Sequence, residues 1–175
     1  MIFISVWYIE LAILLVLALY SDIKTYKIKN YITIPFMCIG ILTNLFFYGL
    51  HGVQESLLGI CYPIGILMVL FMLRMLGAGD MKLFGAIGAI MGYSFVLDVI
   101  IYSFLAGGII SIAILIKRQN FVQQIRYLIT YVKTCFLTFS TIPYMDYSDK
   151  NNKSRFHFSI AIVIGTLIKI YLNRC

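Results

Sequence analysis

Apolar residues run in long blocks along this chain, and polar or glycine-containing breaks separate them at about residues 2–20, 31–49, 56–76, 83–93, 95–116 and 156–173. A helix crossing a bilayer needs roughly 20 apolar residues, so these blocks predict about six transmembrane helices in a single all-α domain. The fourth block is short. The run from Leu83 to Ile116 is interrupted only at 92–94, but a straight helix of that length would reach about 50 Å, well beyond the hydrocarbon core. A tight hairpin at 92–94 is therefore expected.

The remaining long segment, 117–155, is not uniformly polar. Phe121, Ile125, Leu128, Ile129, Val132, Phe136 and Phe139 recur at helical spacing, with Gln123, Arg126, Thr130 and Lys133 on the other faces. That pattern predicts an amphipathic helix, either lying on the inner leaflet or packed as a partly buried helix on the bundle. The stretch 146–152 is polar and leads back to the last apolar block.

Composition agrees with a lipid solvent. The 175 residues are 62% hydrophobic and only 12% charged, with a mean hydropathy of +0.96, which leaves too little polar surface to cover a water-soluble globule. The net charge of +7 does not point to nucleic acid, because the cations lie between apolar blocks and not on a polar module. With six spans, the segments 21–30, 74–82 and 117–155 fall on one side and hold all the Lys and Arg residues except Lys169 and Arg174. By the positive-inside rule these three segments are cytoplasmic. The first block lacks a basic leader and a small-residue cleavage site, so it is expected to remain as a span.

Cys38, Cys61, Cys135 and Cys175 are widely separated and show no metal-binding spacing, so neither a metal nor a cofactor is expected. The chemistry then rests on seven acidic residues. Asp146, Asp149 and Glu55 fall in predicted loops, where solvation accounts for them, and Asp98 lies near the outer end of the fifth span. Glu10 is deep in the first span, where it would be protonated or face a polar partner such as Asn44.

Asp22 and Asp80 differ from the rest, because the topology brings both to the cytoplasmic membrane face. Two carboxyls sharing a low-dielectric site can hold one proton between them, activate a water and protonate a leaving amine. The competing reading makes Asp22 an ordinary helix end and Asp80 the N-cap of a helix beginning at Met81.

The segment Gly77-Ala78-Gly79-Asp80-Met81-Lys82-Leu83 resembles the GxGD signature of membrane aspartyl proteases, in the GxGDxKL form of type IV prepilin peptidases. Two further stretches are similar to that family. Asp22 precedes Ile28-Lys29-Asn30, where the family has Ile-Pro-Asn, and Phe156-His157-Phe158-Ser159-Ile160-Ala161-Ile162-Val163-Ile164-Gly165 resembles its Pro-Tyr-x-x-Ala-Ile-x-x-Gly pattern, with His157 in the place of proline.

The resemblance implies that Asp22 and Asp80 are the catalytic pair, that Gly77 and Gly79 shape the site, and that the substrate is a pilin-like membrane precursor with a basic leader. Lys82 would bias the pair's protonation, hold substrate, or simply snorkel to the interface. The paired CxxC motifs and added region of the bifunctional enzymes are missing, so the chain resembles the short, peptidase-only forms, with archaeal preflagellin peptidases as relatives. Two rivals remain at this level: a non-enzymatic subunit of a pilus or secretion apparatus, and a small transporter using Glu10 and Asp98.

Overall fold

A computed structural model describes residues 2–73, 75–117 and 157–173, and every regular element among them is helical. These are α1 (Ile2–Thr25), α2 (Asn30–Met72), α3 (Ala78–Met91), α4 (Tyr93–Lys117) and α5 (Phe158–Leu172). Val6–Thr25, Asn30–Met72 and Tyr93–Ile114 are long and apolar enough to cross a membrane, and α5 is a shorter apolar helix. Leu42, Phe46, Ile101 and Ile109 lie exposed on their outer faces, as a lipid solvent permits. The proposed helix at 121–139, together with Asp146, Asp149, Cys135 and Cys175, lies outside the described residues.

Three helices are long and apolar enough to cross a membrane where six spans were expected: α2 joins two of the expected blocks in one helix, and α3 and α5, of 14 and 15 residues, are shorter than a full span. The 43 residues of α2 would extend about 65 Å if straight, and they do not run straight. Gly49, at φ 61° and ψ −144°, adopts a conformation open essentially to glycine alone. The two arms turn back on each other there. Asn44 Nδ2 donates to Ser56 Oγ across the break at 2.8 Å, and a side chain on Gly52 would overlap the Asn44 backbone. The sequence placed a loop at 50–55 and ended the third block at residue 76. One positive-φ glycine instead suffices to reverse the chain, so residues 50–72 are helical and the helix ends at Met72. Glu55 is consequently a half-buried helical residue and not a loop residue.

Helix α3 forms the centre of the bundle, and its residues 83–90 are all buried. Small residues let both arms of α2 reach it: Gly40 lies on Ala89 and Ile90, Gly59 on Gly88, and Met37 on Gly85. In lipid, helix association depends on such close backbone approach and on polar contacts, since hydrocarbon competes equally for apolar side chains. The C-terminal carbonyls of α3 are satisfied by α2. Asn44 Nδ2 donates to the carbonyls of Ala89 at 3.0 Å and Ile90 at 3.1 Å, and Ser56 Oγ donates to Ala89 O at 2.8 Å. Gly92, at φ 85°, then ends α3 and α4 begins at Tyr93.

Helix α5 packs chiefly on α4, with Gly165 against Ser103 and Gly107 against Phe158 and Ala161. Asp98 of α4 pairs with Lys169 of α5 at 2.6 Å. Its carboxylate remains partly exposed, and its partner comes from a distant part of the sequence. Glu10 likewise accepts from Thr43 Oγ1 at 2.8 Å, while Asn44, the partner suggested by its polarity, is occupied with α3.

Candidate active site

The inward stripe of α1 consists of Leu11, Leu14, Leu15 and Ala18, all buried, and helical spacing carries that stripe onto Asp22. Asp22 is therefore buried within the bundle, at 8% exposure, and does not face lipid. Just beyond it the helix ends. Tyr26 takes a left-handed conformation at φ 54°, and its N–H still donates to Asp22 O at 2.7 Å. Ser21 Oγ and Thr25 Oγ1 each donate to Lys27 O at 3.0 Å. These hydroxyls hold the turn in a sequence that has Lys29 where the resembled motif has proline.

The turn delivers Ile28, which is buried, onto Gly79. A Cβ on Gly79 would lie 3.1 Å from Ile28 Cβ, so this glycine admits the chain's own turn and brings the start of α3 against the end of α1. Gly77 is the N-cap of α3 and Asp80 is in its first turn. The expectation that Asp80 would N-cap a helix starting at Met81 is thus corrected: Asp80 reaches back, and its carboxylate accepts the Gly77 N–H in the manner of a capping box. A side chain on Gly77 would approach Asp80 Oδ2 at 3.0 Å.

Asp80 sits ahead of the apolar run that begins at Leu83. Burial raises its carboxyl first, the charge of Asp22 raises it further, and the Gly77 N–H opposes them; the outcome is a pKa of about 7. A carboxyl so placed carries a proton at neutral pH for much of the time, while its neighbour can be charged. That is the division of labour general acid and general base require.

Two residues contact Asp22 that sequence reasoning had not assigned to the site. Ser159 Oγ donates to Asp22 Oδ2 at 2.5 Å, and His157 Nδ1 lies 3.3 Å from the same oxygen. The Tyr26 ring stacks on His157 with centroids 4.5 Å apart. The signals available in the sequence were position, as polar residues at the start of the last apolar block on the membrane face already given to Asp22, and the family-like stretch 156–165 that contains them. Lys82 does not join the pair. Its Nζ donates to Asn30 Oδ1 at 2.9 Å, tying α3 to the first residue of α2. Glu10 and Asp98, with partners elsewhere, are not part of this cluster. Among the described residues no three His, Cys, Asp or Glu side chains are grouped to hold a metal ion.

The family model for type IV leader peptidases matches residues 9–112, a stretch containing Asp22, Asp80 and both site glycines. The chain belongs to the type IV leader peptidase family. Membership indicates an aspartic-type protease with a type IV leader peptidase-like function, and the apolar helices make it a membrane protein. No curated protein and no solved structure matches the chain. The matched stretch of this leader peptidase family member stops before α5, so Ser159 and His157 enter the site on geometry alone.

Proposed function

We propose that this protein is a membrane endopeptidase that removes the basic leader from type IV or Flp-type pilin precursors, with Asp22 and Asp80 as the catalytic pair. The observation that carries this reading is the meeting of α1 and α3 at Ile28 and Gly79, which gathers the buried Asp22 and the first-turn Asp80 at one end of the bundle; burial and the Asp22 charge raise the Asp80 carboxyl to about 7. One carboxyl is protonated and the other ionised. As water attacks the scissile carbonyl carbon, the ionised carboxylate takes a proton from it and the protonated one gives its proton to the carbonyl oxygen. On collapse the C–N bond breaks and the amine takes the proton first gained from water. A hydroxyl of the tetrahedral centre reprotonates the second carboxyl. One water is consumed and the pair is restored.

The two arms of α2 together with α1, α3, α4 and α5 supply six apolar helices, which supports six spans in the cytoplasmic membrane. The cation-rich segments 21–30, 74–82 and 117–155 then face the cytoplasm with the aspartates, where a basic leader would also be held. Gly79 and Gly77 shape this end of the bundle, and Lys82 braces it through Asn30. The reading is of a peptidase-only form without methyltransferase activity; an archaeal-type preflagellin precursor would be processed by the same chemistry.

Co-expression with a pilin precursor tests the proposal. Leader removal by the unaltered chain, and its loss in both Asp22→Asn and Asp80→Asn, is the expected result. Continued cleavage by either variant would instead favour a non-enzymatic subunit.

A further inference from the structure

Among the described residues, two side chains meet Asp22 at the same carboxylate oxygen. Ser159 donates to Oδ2 at 2.5 Å and His157 Nδ1 stands 3.3 Å from it. Both come from the entry of α5, where His157 is the N-cap and offers no side-chain capping bond of its own. That entry is fixed by packing: the Phe158 ring meets Phe84 of α3 at 6.5 Å and Phe104 of α4 at 5.6 Å between centroids. Ser159 is fully buried, with 0% exposure, so its hydroxyl has little freedom to turn elsewhere. The carboxylate also lies at a helix N-terminus, where the dipole favours negative charge.

Asp80 has the opposite surroundings. Its partner is a neutral backbone N–H, it is desolvated, and the Asp22 charge acts against its own ionisation.

We propose that Ser159 and His157 are positioning residues that hold Asp22 as the ionised, base member of the pair, so that Asp80 is the member that carries the proton to the scissile carbonyl. With Oδ2 committed to α5, Oδ1 is the oxygen that takes the proton from water. The assignment rests on the peptidase reading and adds to it the direction of proton flow. It also gives α5 a task in the chemistry, beyond closing the bundle.

Among the described residues, the titratable groups against Asp22 are His157 at the α5 entry, Asp80 on α3, and Tyr26 through its stack on His157. Of the lysines at this end, Lys24 lies over Tyr20, Lys29 over Tyr31 and Lys82 on Asn30, while Lys27 belongs to the turn whose carbonyl takes the Ser21 and Thr25 hydroxyls. In a bell-shaped profile of kcat the acidic limb reports the base and the alkaline limb the acid. Removing a donor to the base makes it harder to ionise, which moves the acidic limb upward.

The test uses the purified full chain in lipid vesicles, with a pilin precursor bearing a basic leader as substrate, followed from about pH 4 to 9. Ser159→Ala should lower kcat about tenfold near neutral pH, leave KM unchanged, and move only the acidic limb upward. His157→Gln should move the same limb in the same direction by less. Unchanged kcat and limbs in Ser159→Ala, or movement of the alkaline limb instead, overturns the assignment. If Ser159→Ala does not fold, His157→Gln decides by the same criterion. Failure of the unaltered chain to cleave at any pH refutes the peptidase reading itself, an outcome distinct from a normal profile in the variants.

Discussion

Gly59 and Gly88 meet backbone to backbone, so closely that a Cβ on either would overlap the carbonyl of the other. The contact locks the second arm of α2 to α3, eight residues beyond Asp80 on the same helix. Gly88→Ala should therefore force two backbones apart and cost about 1–3 kcal/mol, read as a lowered unfolding midpoint in detergent. A midpoint within error of the parent would refute the close contact.

Asp22→Asn and Asp80→Asn should each leave a folded protein and reduce leader cleavage by at least about 10²-fold, the lower end of what a positioned acid or base contributes. An amide at either position can accept a hydrogen bond but cannot exchange a proton in the cycle. Single-turnover cleavage by purified protein, alongside circular dichroism, separates loss of chemistry from loss of fold.

The raised carboxyl of Asp80 makes both activity and stability depend on pH. Its folded pKa of about 7 exceeds the unfolded value near 4, so the native state binds more protons in that window and stability falls as pH rises from about 4 to 7. Above about pH 7 the cost of the buried charge is fully present. Asp80→Asn should thus be more stable than the parent at pH 8, on the order of 2 kcal/mol after allowance for partial exposure, and should lose that advantage near pH 4. Cleavage by the parent should decline above about pH 7 as the acid loses its proton. Equal melting of parent and variant across the range would contradict this.

Asn44→Ala should remove the Asn44 donor from the Ile90 carbonyl, leave Ala89 O to the Ser56 hydroxyl, and destabilise by about 1–3 kcal/mol. These carbonyls lie nine and ten residues from Asp80 along α3, about 15 Å, so any protein that remains folded should retain its kcat. A fall in kcat without a fall in thermal midpoint would show that the network reaches further than its hydrogen bonds.

Asp98→Asn should keep wild-type cleavage and change stability by less than about 1 kcal/mol, because its pairing with Lys169 is partly open to solvent. Abolished cleavage in this variant would revive a role for Asp98 in proton movement.

Much of the helical order was legible because lipid imposes long apolar runs, and Asp22 and Asp80 stood out because few acids occur at all. What the sequence hid were matters of a single residue. Nothing in the run from 31 to 76 announces that Gly49 alone reverses the chain, since a loop and a positive-φ glycine look alike in hydropathy. Gly79 was read only as shaping the site, while the chain's own Ile28 occupies the space beside it. Ser159 was indistinguishable from any serine in a membrane helix, because its partner lies 137 residues away. The proper partners of Glu10 and Asp98 were concealed for the same reason: polarity says that a buried acid needs a donor, not which helix provides it.

The elbow at Gly49 also bears on how the protein enters the bilayer. Asn44 and Ser56 would each be poorly tolerated in hydrocarbon on a lone helix, and each satisfies the other only when the arms lie side by side. The two arms are therefore best suited to partition together, as one preassembled pair, with the second Asn44 amide hydrogen and the Ser56 hydroxyl left to recruit α3 once it arrives.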